Sequence, residues 1–215
     1  MRLQPGVQQV LSQVSSEAKI LDLGCGNGEL WRTIKGSGFV GLYIGLDSSA
    51  ELLHIADPKP VDPMMPSSAR FIQADIALMD WDANLPERSF DTIFAFAVLH
   101  HIPSHELRIQ ILRKVRTLLS ASGTFIHSEW QFMNSPRLRK RVQPWETIGL
   151  STDHLEPNDY LLDWRQGGYG LRYVHHFDDQ ELTQIARESS FQISKTFLSD
   201  GEKGQLGLYQ FWQPE

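Results

Sequence analysis

The stretch Ile20-Leu21-Asp22-Leu23-Gly24-Cys25-Gly26-Asn27-Gly28-Glu29-Leu30 decides how the rest of the chain is read. It begins as an apolar run, ends in three glycines spaced by two, and passes into Leu30, Trp31 and Ile34 at helical spacing. A short apolar run before a turn reads as a buried strand, so the glycines form a strand-to-helix turn. Glycine admits positive φ and lets a ligand approach the backbone closely. The first N–H groups of a helix lack intrahelical partners and face such a ligand. The turn therefore predicts a cradle for a nucleoside cofactor.

A dinucleotide fingerprint, G-x-G-x-x-G read from Gly24, would need its third glycine where Glu29 stands. The Glu29 anion would also compete with a pyrophosphate for the N–H groups at the helix mouth. The pattern present, D-x-G-x-G-x-G, resembles motif I of the class I S-adenosylmethionine (SAM) methyltransferases. The resemblance implies that Asp22 lies near the cationic amino-acid end of the cofactor and that Gly24, Cys25, Gly26 and Asn27 line it. A glycine turn without ligand and an NAD-dependent oxidoreductase are the alternatives.

Further along, the apolar run Val40 to Leu46 ends at Asp47, 21 residues beyond Gly26. A carboxylate at the C-terminal end of a strand can accept both ribose hydroxyls of an adenosine. Ser48 beside it joins the expected cofactor residues, and with Glu51 it forms a capping box for the next helix. Pro58, Pro60, Pro63 and Pro66 predict a surface loop. A short strand, Arg70 to Ala74, ends at Asp75-Ile76, an acid for the exocyclic amine of adenine and an apolar lid for its face. Asp91 to Phe96 is apolar and unalternating, as in a central parallel strand. The F-D-x-I here, followed by A-x-L-H-H-I over Ala97 to Ile102, again resembles the SAM methyltransferases. It implies that Ala95, Phe96 and Ala97 bound the methionine end of the cofactor. His100 and His101 are candidates to take a proton; adjacent histidines point different ways, so no metal is expected.

Val7, Val10, Leu11 and Val14 predict a helix before the first strand, and Ser104 starts a long helix buried through Leu107, Ile111, Val115 and Leu118. Thr124 to Ser128 is a fifth strand after a turn at 120–123. Asp178 and Glu181 cap a last helix, and Phe191 to Leu198 pairs with Leu206 to Trp212 as a hairpin. The expected fold is α/β: a doubly wound, mostly parallel seven-stranded sheet ending in an antiparallel hairpin, in one domain spanning 1–215. The helix–strand rhythm stops over about 131–173, an insertion holding Arg137, Arg139, Lys140, Arg141, Trp145, Trp164 and Arg165. In class I methyltransferases an insertion here commonly carries acceptor recognition.

Leu171-Arg172-Tyr173-Val174-His175-His176-Phe177, followed by Asp178-Asp179-Gln180-Glu181-Leu182, resembles the R-Y-x-H-x-F/Y-x-x-x-E-L segment of the tRNA wobble-uridine carboxymethyl methyltransferases. That resemblance implies a tRNA acceptor methylated on a carboxylate and, as in the eukaryotic relatives, a small activator subunit. The segment 153–170 departs from that family. A carboxylate is already an anion at pH 7 and needs no general base, only a cationic clamp. Arg172 and His175 are the candidates for it, and the run Arg137 to Arg141 would face phosphates. A small metabolite is the alternative acceptor, and an inactive SAM-binding partner or scaffold is the alternative of another class.

Composition sets the outer bounds. The chain has 215 residues, 41% of them hydrophobic, and a net charge of −6 at pH 7, so it lacks a global basic footprint for nucleic acid. Cys25 is the single cysteine, which excludes an internal disulfide and suits a reducing cytosol. No apolar run reaches membrane-spanning length and the N-terminus does not read as a signal peptide, so a cytoplasmic protein without a membrane partner is expected.

Overall fold

The computed structural model describes residues 3–56, 69–165 and 167–215; the expected loop of Pro58, Pro60, Pro63 and Pro66 lies outside them. Helix α1 (Pro5–Leu11) leads into β1 (Lys19–Leu23), α2 (Glu29–Gly36), β2 (Leu42–Asp47), α3 (Ala50–Ala56), β3 (Ala69–Gln73) and β4 (Phe90–Phe96). Then come α4 (His105–Leu118), β5 (Leu119–Trp130), α5 (Pro136–Arg139), β6 (Val142–Gln143), β7 (Asp159–Trp164) and β8 (Gly170–His175). Helix α6 (Asp179–Glu188) and the strands β9 (Phe191–Ser199) and β10 (Gly207–Pro214) complete the chain.

Seven strands form one sheet in the order β3-β2-β1-β4-β5-β10-β9. The first five run parallel, and β10 is antiparallel to both β5 and β9. Side chains alternate across the strands and build two cores. Ile20 joins Val7, Val10, Trp31 and Ile34 beneath α1 and α2. Leu21 and Leu23 join Leu112, Val115, Leu182 and Ile185 beneath α4 and α6. The doubly wound sheet is the one expected. Because β2 and β4 flank β1 on opposite sides, the strand order reverses there and leaves a crevice at the carboxyl ends.

Two local readings are corrected. The cap of α3 is Ser49, not Ser48. The Asp47 carboxylate takes the Ser49 N–H at 2.9 Å and holds the chain so that Ser49 Oγ meets the Leu52 N–H at 3.2 Å. The segment 120–123 is extended as part of β5 rather than a turn, with a register break against β4 between Phe90 and Thr92.

The insertion forms a second, antiparallel sheet, β6-β7-β8, with its own small core of Phe132, Leu138, Leu162 and Val174. A buried polar network docks it. Arg108 on α4 has no exposed surface. Its Nε donates to the Ile102 carbonyl at 2.9 Å, Nη1 to Glu156 at 3.1 Å and Nη2 to the Tyr173 hydroxyl at 2.8 Å. The Tyr173 hydroxyl donates in turn to Asp159 at 2.6 Å. His175 bridges Asp159 (2.7 Å) and Glu181 of α6 (2.8 Å) through its two ring nitrogens. Burial opposes charge on His175, but the bonds to Asp159 and Glu181 outweigh it and raise its pKa above the usual histidine value.

Removing one member of a buried charge network leaves the others desolvated and unpaired. Arg108→Met is therefore expected to lower stability by about 3 kcal/mol in urea denaturation, with amide exchange accelerated first in β7 and β8. An unchanged midpoint contradicts this account of the docking.

Candidate functional site

The glycine turn sits at the crevice between β1 and β4. Gly24, Gly26 and Gly28 have φ of 70°, 55° and 75°, a region that side chains disfavour. A Cβ on Gly28 would come within 2.9 Å of Ala56, whereas beside Gly26 nothing lies within 4 Å. Gly26 thus borders open space. The turn is tied to the end of β2: Cys25 N–H donates to the Leu46 carbonyl at 2.9 Å, and Gly26 N–H to Asp47 Oδ2 at 2.8 Å. The Asn27 carbonyl accepts from Arg32, which also pairs with Glu29 at 2.9 Å. Cys25 is buried, and burial pushes its thiol up, away from nucleophilic use. Ser48 is exposed, its carbonyl taking a bond from Gln73.

Asp22 is buried at the end of β1, where Tyr43 donates to it at 2.5 Å. Burial raises its pKa to about 7, against the lowering effect of the Tyr43 bond. Asp75 is exposed, with one oxygen capping the Ala77 N–H at 2.9 Å. Ile76, expected as a lid for adenine, is buried at the margin of the main core, where it also lines a surface cavity. At the end of β4, Ala95 is buried and Phe96 stacks on Phe94. Ala97 is held at φ 56°, its N–H shared between the carbonyl and hydroxyl of Ser128, both at 3.1 Å. Left-handed alanine stores strain, and the sequence gives no sign of it. The open space beside Gly26, with carboxylates Asp22 and Asp47 at neighbouring strand ends, fits a cofactor bearing an ammonium group and a ribose, as SAM does.

The insertion meets the turn after β4 through the bond of His101 to the Tyr173 carbonyl on β8. The Arg172 guanidinium lies between two indoles, 4.7 Å from Trp130 and 4.5 Å from Trp164. Its Nε is buried without a hydrogen-bond partner, and no ion pair to it occurs among the described residues. Burial, then the nearby Arg141, depress its pKa. His175 does not share that space as a clamp. Both its ring nitrogens are engaged by Asp159 and Glu181, so its place is the docking network rather than the acceptor. Glu156, Asp159 and His175 could together offer metal ligands, but Arg108 already supplies the cation there.

Sequence reasoning missed Glu129. It is buried on β5 and bridges His100 (3.0 Å) and His127 (2.8 Å), and these imidazoles hold its pKa below the usual value although burial pushes it up. His127 and Glu129, two titratable residues separated by one residue after the apolar pair Phe125-Ile126, were the available signal. His101, next to His100, bonds through Nδ1 to the Tyr173 carbonyl at 3.1 Å. Among the described residues no helix is long and apolar enough to cross a membrane.

Known proteins share this fold. A SAM-dependent methyltransferase structure from Methanosarcina mazei superposes with a TM-score of 0.71 at 20% identity, covering 100% of this chain and 99% of that one. Demethylmenaquinone methyltransferase of Thermotoga maritima is 25% identical over 197 residues, 87% of this chain and 76% of the relative. The Bos taurus protein named Probable tRNA methyltransferase 9B is 24% identical over 164 residues, 75% of this chain but 29% of that protein. The profile of the methyltransferase-domain family matches residues 2–196. With the glycine turn, the strand order and the antiparallel end of the sheet all in place, this chain belongs to the methyltransferase-domain family and has the fold of the class I SAM-dependent enzymes.

Proposed function

We propose that this enzyme binds SAM at the glycine turn and transfers its methyl group to an acceptor whose anionic group is held by Arg172. The observation that carries the reading is the Arg172 guanidinium, held between Trp130 and Trp164 without a carboxylate partner among the described residues. A guanidinium so confined can present paired N–H donors to a carboxylate or phosphate at little entropic cost. On the cofactor side, Asp47 takes the ribose hydroxyls and Asp22 faces the ammonium group. Asp75 serves the adenine, and Ala95 to Ala97 bound the methionine end. SAM, when bound, supplies an activated methyl on a sulfonium. What is left to the chain is alignment of the attacking atom and exclusion of water.

Two carriers of that anion agree with the geometry. Arg137, Arg139 and Lys140 are exposed on the same insertion as Trp164, which suits a tRNA and its carboxymethylated wobble uridine. The bovine relative is named for tRNA. A small metabolite carrying the anion needs no extended basic surface, consistent with the net charge of −6, and the Thermotoga relative is named for demethylmenaquinone. The anion can itself be the nucleophile or can be the handle for a neighbouring one. Residues 1–215 act here as one domain.

Two outcomes follow. Incubation with labelled SAM and separate tRNA and small-metabolite fractions is expected to label an anionic acceptor. Arg172→Gln should raise the acceptor KM roughly tenfold to a hundredfold, the loss of bonds to a charged group, without changing SAM affinity. Label in the small-molecule fraction alone removes the tRNA carrier; label in neither, or an Arg172→Gln enzyme equal to wild type, removes the reading. The second concerns Asp22. Its free-state pKa of about 7 must fall when a cation docks beside it, so SAM binding releases a proton. Calorimetric affinity should therefore rise with pH up to about 7 and then level off until the cofactor amine titrates, and Asp22→Asn should flatten the rise. An affinity independent of pH in wild type contradicts it.

A further inference from the structure

The acceptor side of the crevice holds one imidazole nitrogen that the proposed function leaves idle. His101 lies in the turn after β4, four residues beyond Ala97, next to β8. Its Nδ1 is 3.1 Å from the Tyr173 carbonyl oxygen, which can only accept a hydrogen bond. Nδ1 therefore carries the proton, and Nε2 is left with a lone pair. Nε2 has no hydrogen-bond partner among the described residues, whereas neighbouring His100 is tied to Glu129. The residue before Tyr173 on β8 is Arg172, so the strand that sets the His101 tautomer also carries the anion-holding guanidinium.

We propose that His101 Nε2 is the proton acceptor of the transfer, and that the methyl goes to an N–H or O–H group of the acceptor, the anion held by Arg172 being its handle. The inference rests on the proposed function and names its substrate class: small anionic molecules with an amine, hydroxyl or phenol beside the anionic group. The acceptor lone pair forms the new bond to the methyl carbon. The sulfur–methyl bond breaks, and its electron pair stays on sulfur as the neutral thioether product. The proton of the methylated heteroatom passes to Nε2, giving an imidazolium that later loses it to water. A carboxylate nucleophile would have no proton to give, and a base poised at this place would serve no purpose.

The surroundings keep the base available. His101 is exposed to solvent, so desolvation of the ring acts only in part; with the proximity of His100 and of Arg172 it lowers the pKa below the usual histidine value, and the ring is neutral at pH 7. The Tyr173 bond and Glu129 act in the opposite sense, favouring the cation once formed. A weak base suffices, because the proton on the heteroatom becomes strongly acidic as the methyl bond forms.

The test uses the full-length enzyme, labelled SAM and a panel of aromatic and aliphatic carboxylates, each with and without a neighbouring hydroxyl or amine. Expected is label only in the members that carry the extra group, in a product stable to mild base, as an ether or N-methyl amine is and a methyl ester is not. His101→Asn can keep the bond to the Tyr173 carbonyl through its amide. It should lower kcat roughly a hundredfold or more, with acceptor KM and calorimetric SAM affinity near wild type. A base-labile product, or a His101→Asn enzyme with the wild-type kcat, overturns the inference and leaves the methyltransferase reading standing. No transfer to any member, with SAM bound, overturns the inference and leaves the anionic acceptor to the tRNA and metabolite fractions.

Discussion

The carboxylate of Asp47 accepts the Gly26 N–H through one oxygen and the Ser49 N–H through the other, and the cofactor end of the molecule depends on that pair of bonds. Each joins a charged acceptor to a backbone donor, the stronger class of hydrogen bond. Together they lock the end of β2 to the glycine turn after β1 and to the start of α3. The parallel register makes this possible: Leu23 pairs with Leu46, so the next residues on both strands emerge side by side at the carboxyl edge. The turn can then keep positive φ at Gly24, Gly26 and Gly28 while leaving open space beside Gly26. Each carboxylate oxygen still has a lone pair for a ribose hydroxyl.

A second constraint acts on the acceptor side. Arg108 bonds to the end of the histidine turn through Ile102 and to β8 through Tyr173. The two segments that carry His101 and Arg172 are thus held by one buried guanidinium, itself surrounded by Glu156, Asp159 and Glu181. His175, with both nitrogens taken, belongs to this scaffold. Under the proposed function the arrangement separates labour by strand ends. The edges of β1 and β2 would meet the cofactor, and the turn after β4 together with β8 would face the acceptor.

The legible parts of the chain were those governed by local rules. The glycine turn, the acid at the end of β2 and the apolar runs of the parallel strands follow from backbone conformation and burial, which act over a few residues. The alternation of helices with strands sufficed for the doubly wound sheet, and two successive strands for its antiparallel end. The second sheet was not legible, because β6 has two residues and its pairing with β7 is a long-range contact without a periodic signature. The shift of the α3 cap from Ser48 to Ser49 depends on a bond from Asp47 that propensity cannot register. His175 read as a clamp because its carboxylate partners, Asp159 and Glu181, come from two different elements. Arg172 was found as a cation, but its seat between Trp130 and Trp164 required the tertiary structure.

The account stands or falls on the cradle that Asp47 closes. Calorimetric titration with SAM, on wild type and on Asp47→Ala shown by circular dichroism to remain folded, measures it directly. Micromolar binding to wild type and binding weakened roughly a hundredfold or more in the variant is the predicted result. No binding to wild type, or equal affinity in the two proteins, would contradict it.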